Sequence, residues 1–188
     1  MKQTIRLARI SRIARITAAA SILVSLTACS STLIAPETPA AISVPAGNQL
    51  VMIAVGSGDL TYECRVKANS TVAYEWVFAG PNAVLSDKNG MILGKYYGGP
   101  TWESNDGSKV TGKQIAIAPA SATAIPLQLV KANAVPNAPA MGAMTDISYI
   151  QRLNTMGGIA PTDSCSIDNL GAKKLVKYQA DYFFYKAS

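Results

Sequence analysis

"LTYECRV", residues 60–66, alternates apolar and polar side chains along its whole length. Leu60, Tyr62, Cys64 and Val66 fall on one face, and Thr61, Glu63 and Arg65 on the other. A period of two marks a half-buried strand, because successive side chains leave opposite faces of a sheet. "VAYEWVF" (72–78) repeats the pattern and turns Val72, Tyr74, Trp76 and Phe78 inward. "KYQADYFFYK" (177–186) does the same with Tyr178, Ala180, Tyr182 and Phe184. Less regular strands are expected at 49–55, 91–97, 113–118, 125–131 and 146–153. Between them "GSGD" (56–59), "SDKNG" (86–90), "NDGS" (105–108) and "MGGIAPTD" (156–163) read as turns. Asn-Gly and Asp-Gly supply the positive φ that tight hairpins need. No window carries a sustained helical stripe. The expected fold is all-β, an antiparallel β-sandwich or partly closed β-barrel, with little helix apart from the signal peptide.

Residues 1–28 carry the pattern of an export signal. Lys2, Arg6, Arg9, Arg12 and Arg15 form a basic head without an acid, and the apolar run Ile16–Ala28 follows. That run is too short for a bilayer span, which needs roughly 20 residues. Leu26-Thr27-Ala28-Cys29 then resembles the bacterial lipobox. The resemblance implies cleavage before Cys29 and acylation of that residue, palmitate included. Several acyl chains give stable anchoring where one alone is marginal. Ser30 after the cysteine points to the outer membrane, facing the periplasm. Residues 29–44, rich in Ser, Thr, Ala and Pro, read as a lipid-anchored tether, and 45–188 as one β-rich domain.

Loss of the signal changes what the charge means. The full chain holds 17 basic and 11 acidic residues, a net +6. Removing the five basic residues of the head leaves 12 against 11, a net +1. The high isoelectric point therefore belongs to the targeting segment, and the charge indicates no nucleic-acid partner. The membrane, reached through Cys29, is the one expected partner.

Three cysteines are present. With Cys29 assigned to lipid, Cys64 and Cys165 remain as a pair in an oxidising compartment, where a disulfide is expected. A free thiol or a metal site is the rival reading. The chain has no histidine, and two cysteines make a poor zinc shell. The missing histidine also removes the Ser-His-Asp triad and the histidine base. No catalytic residue, metal or cofactor is assigned. "VGSGDLT" (55–61) echoes a dinucleotide loop only faintly, since it lacks the third glycine and leads into strand rather than helix.

The densest chemistry lies in "GKYYGGPTWESNDGSKVTGK", residues 94–113. Tyr96, Tyr97, Trp102, Glu103 and Asp106 could form a binding face, because aromatics beside carboxylates stack and hydrogen-bond sugars. Glu103 and Asp106 could also serve as a hydrolytic pair. A sandwich corner explains the same residues, with Trp102 plugging the core and Asp106-Gly107 turning a hairpin.

"VPAGNQLV", "YECR", "GPTWESNDGSKV", "YIQRLNTMGG" and "YQADYFFY", taken in order from about Val44 to Tyr185, resemble the domain-of-unknown-function 3455 family. The resemblance implies a secreted or envelope-exported protein with no established activity. In that family a histidine commonly precedes the Gly-Pro-x-Trp block, where Lys95, Tyr96 and Tyr97 stand here. A tryptophan often follows Ile-Pro, where Leu127 stands here. The expected function is a non-catalytic, lipid-anchored envelope domain that binds or supports. A carbohydrate-active hydrolase using Glu103 and Asp106, or a carrier of a small apolar ligand, are the alternatives.

Cys29→Ser is expected to leave the chain unlipidated and to remove it from the detergent-extracted membrane fraction. Radiolabelled palmitate incorporated into that variant would contradict the lipobox.

Overall fold

Eight strands follow one another around a ring: β1 Asn48–Val66, β2 Tyr74–Ser86, β3 Ile92–Tyr97, β4 Thr101–Ser104, β5 Lys109–Ala118, β6 Leu127–Ala134, β7 Ile147–Gly157 and β8 Lys173–Ala187. The computed structural model describes residues 33–188, so the export signal, Cys29 and the first tether residues lie outside the described part. Each strand pairs antiparallel with the next, and β8 pairs with β1 over Asn48–Glu63. Of the two architectures the alternation allows, the chain takes the barrel and closes it completely. Closure removes both sheet edges.

The period of two decides which side chains fill the ring. Tyr178, Ala180, Tyr182 and Phe184 of β8 all enter its interior cluster, as do Leu60 and Tyr62 of β1. The middle of that interior is aromatic. Trp102 stacks on Tyr96 with ring centroids 4.5 Å apart, and the Tyr182 and Phe184 rings meet Trp102 edge-on at 5.7 and 6.5 Å. Trp102 is 1 % exposed.

Two sequence readings are corrected here. "GSGD" is no turn but the middle of the 19-residue β1. Its glycines make room: a Cβ on Gly56 would stand 2.5 Å from the Tyr182 ring, and one on Gly58 2.2 Å from the Asn82 carbonyl oxygen. Likewise Val72, expected inward, is 82 % exposed in the turn before β2, and Phe78 is 50 % exposed. A register shift between Thr61 and Tyr62 interrupts the β1–β2 ladder where Phe78 pairs. The turn signals at 86–90, 105–108 and 156–163 fall at the β2–β3, β4–β5 and β7–β8 junctions, the first and last beginning inside β2 and β7.

A second cluster covers the outside of the ring. Leu129 of β6, Leu153 of β7 and Phe183 and Tyr185 of β8 pack with Ile42, which is fully buried. The C-terminal end of the segment read as a tether is thus docked, through a 3₁₀ turn at Ala40–Ile42. Gln151, 2 % exposed, accepts from the Tyr185 hydroxyl and donates to the Ile42 carbonyl, each at 2.7 Å. The reason is apolar area: these outward side chains would otherwise face water.

The long β7–β8 connection is fixed at one end of the ring by the disulfide Cys64–Cys165, with Cα atoms 5.5 Å apart. Backbone bonds from Cys64 N to Ala172 O and from Gly171 N to Cys64 O reinforce it. The bridge joins cysteines 101 positions apart in the sequence. Replacing both cysteines by serine is expected to cost about 2–5 kcal/mol, read as a lower urea midpoint. An unchanged midpoint would show that the hydrogen bonds alone hold the loop.

Candidate functional site

The residues singled out in 94–113 do not form one face. On β3 and β4 the alternation divides them. Tyr96 and Trp102, directly paired across the two strands, turn into the ring and are buried. Tyr97 and Glu103 stay on the outer wall, where the Tyr97 hydroxyl donates to Glu103 at 2.7 Å. Lys95 and Lys109 lie 3.4 and 3.2 Å from the same carboxylate, each opposite Glu103 in the ladder. The tyrosine hydrogen bond first, and then the lysines, hold the Glu103 carboxyl below its ordinary pKa.

Asp106 closes the β4–β5 hairpin. Its Oδ1 accepts from the Ser108 amide and hydroxyl, and its Oδ2 from the Ala143 amide at 2.8 Å. These bonds, the Ser108 hydroxyl foremost, pull its pKa down to about 2. A glycosidase needs one carboxyl with a raised pKa as its acid. Glu103 and Asp106 are both shifted the other way, and each already has partners. Among the described residues, no group of three or more His, Cys, Asp or Glu could hold a metal.

A concave site does exist at one mouth of the ring. It is a cavity of about 400 Å³ between the β3–β4 turn, the β5–β6 connection and the irregular part of β2. Leu60, Phe78, Pro81, Pro100, Ile125 and Pro126 supply apolar walls. Tyr62, Tyr96, Gln114, Gln128 and Arg152 supply polar groups. Tyr96 lines the mouth, and Trp102 stacks behind it within the filled centre. Phe78 stands edge-on to Tyr62 at 5.9 Å, while the Tyr62 hydroxyl donates to the Gly158 carbonyl at 2.7 Å.

Arg152 belongs to the mouth by strand parity. On β7 it shares a face with Ile150 of the inner cluster, whereas Gln151 and Leu153 face the outer one. Its Nε and Nη2 donate to the Pro126 carbonyl at 3.3 and 2.8 Å, which fixes the plane of the guanidinium. Gln128, beside Arg152 in the β6–β7 ladder, donates to Gln114 at 2.6 Å. The neighbouring phenols are strongly neutral. Burial pushes Tyr178 up to about 12 and raises Tyr96, Tyr182 and, less deeply, Tyr62, with Arg152 opposing the rise.

The sequence reading missed this mouth. The available signal was the alternation in "YIQRL" (149–153), which places an arginine on the face of Ile150. An inward charge in the middle of a strand, on the face of Ile150, asks for a counter-group.

Comparison with known proteins gives one match. The family described as "Protein of unknown function (DUF3455)" matches residues 45–186. No curated protein and no solved structure matches the chain.

Trp102→Ala is expected to cost about 3–5 kcal/mol through the cavity it leaves. Trp102→Phe should cost clearly less, because it keeps a ring and removes an indole N–H that has no partner among the described residues. Asp106→Asn, which a simple turn would tolerate, should cost about 1 kcal/mol here, since an amide cannot accept from both Ser108 and Ala143. Asp106 has a lowered folded pKa, so its stabilisation is present above the unfolded value near 4 and fades as pH falls towards about 2. The Asn variant should lose that component of the acid transition. Urea denaturation across pH 2–7 checks all three, and equal stability of Trp102→Ala and wild type would refute the core role.

Proposed function

The chain belongs to the DUF3455 family, whose description assigns no activity, and we propose that it is a lipid-anchored envelope protein that binds a small, largely apolar ligand at the barrel mouth without transforming it. The observation that carries the binding role is the open cavity of about 400 Å³ in a ring whose centre is filled by aromatic rings. Ligand sites are concave, mostly apolar and furnished with a few convergent polar groups, typically with volumes of about 300–1,000 Å³. The mouth has that composition.

Supporting the anchor is the lipobox at Leu26–Cys29, behind a basic head and an apolar run. By this reading the protein sits at the outer membrane and faces the periplasm, and the membrane is its partner. Against hydrolysis stand the lowered pKa values of Glu103 and Asp106 and their committed hydrogen bonds. A closed apolar chamber inside the ring, which a carrier of a wholly buried ligand would need, is replaced by packed rings. The ligand is instead held at the rim, with one side open to solvent.

Photolabelling of the full chain in neutral detergent with a trifluoromethyl-diazirinyl benzyl alcohol tests the site. The expected result is saturable labelling of peptides that carry Phe78–Pro81 and Gly99–Pro100, lost in Ala79→Trp, which fills the mouth from an exposed position. Labelling that does not saturate, or that survives Ala79→Trp, would contradict the binding role.

A further inference from the structure

Arg152 places a permanent charge beside apolar walls with no opposite charge to meet it. Among the described residues it forms no ion pair, and no residue lining the mouth is acidic. Residues 1–32 contain neither Asp nor Glu. The tyrosines around it do not serve as counter-ions, because burial keeps them protonated. Among the described residues its acceptor is the neutral Pro126 carbonyl, which takes Nε and Nη2. The guanidinium is thereby oriented, with N–H donors left over. Arg152 is half-buried, and its remaining N–H donors have no protein acceptor among the described residues.

We infer that the ligand of the mouth carries a carboxylate on an apolar body, and that Arg152 receives the carboxylate while Phe78 and Ile125 pack the body. This rests on the mouth being a binding site and adds the chemical class of what it takes. Guanidinium and carboxylate match as planar forks, so two parallel N–H···O bonds can form. Gln114 and Gln128 extend the polar side of the cavity, and Phe78 faces the apolar side. An aromatic or short aliphatic acid fits a volume of about 400 Å³.

Two photoprobes of nearly equal shape decide it: the diazirinyl benzyl alcohol and the corresponding diazirinyl benzoate. In the full chain in neutral detergent the benzoate should half-saturate mouth labelling at a concentration at least tenfold lower than the alcohol. Arg152→Gln should abolish that preference, and Arg152→Lys should retain part of it. Equal half-saturation by both probes in the wild type would overturn the carboxylate assignment while leaving the mouth as a site. Absence of mouth labelling by either probe would overturn both. The wild-type comparison holds even where Arg152→Gln fails to fold.

Discussion

The contact between Trp102 and Tyr96 is the interaction on which the rest of this structure depends. The two rings stack from adjacent short strands, and Tyr182 and Phe184 close on them from the opposite wall. An eight-stranded ring encloses space just wide enough for side chains to fill. Four large rings fill it only where neighbouring positions are small: Ala54 and Ala180 belong to the same cluster, and Gly56 leaves room for the Tyr182 ring. The small residues and the large ones are thus one solution, divided between distant parts of the chain. Aromatic pairs add about 0.5–1.5 kcal/mol each beyond the area they bury.

From this filled centre the mouth follows. Tyr96 is the last ring of the stack, and beyond it the β2 ladder slips at Thr61/Tyr62 and the wall opens between Phe78 and Ile125. Arg152 stands where the apolar interior gives way to solvent. The disulfide and the Cys64 backbone bonds hold the β7–β8 connection at the same end as the Gly158 carbonyl that receives Tyr62. The connection that begins beside the mouth is thereby tied to β1.

Much of the fold was legible in the sequence. Alternation in 177–186 named the four residues of β8 that fill the ring, and the Cys64–Cys165 disulfide matches the expected pairing. The dipeptides Asn89-Gly90 and Asp106-Gly107 located two hairpins. Other features were hidden for physical reasons. Gly56 and Gly58 resemble turn residues because a missing side chain serves a turn and a close approach alike. β4 has four residues, too few to display a period, so Tyr96, Tyr97 and Trp102 read as one aromatic patch although the strands send them to opposite sides. Ile42 stands in a Pro- and Ala-rich segment with no apolar period, and its burial is explained by the apolar outer face of β6–β8. Arg152 was visible by parity but lacked meaning until Pro126 and the tyrosines were placed around it.

The central claim is that the ring is packed at its centre and open at one mouth. A crystal structure of the protein under xenon pressure tests this directly, because xenon enters apolar cavities that lack other occupants. The account predicts xenon between Phe78 and Ile125 and none among Trp102, Tyr182 and Phe184. Xenon bound beside Trp102, with the mouth empty, would contradict it.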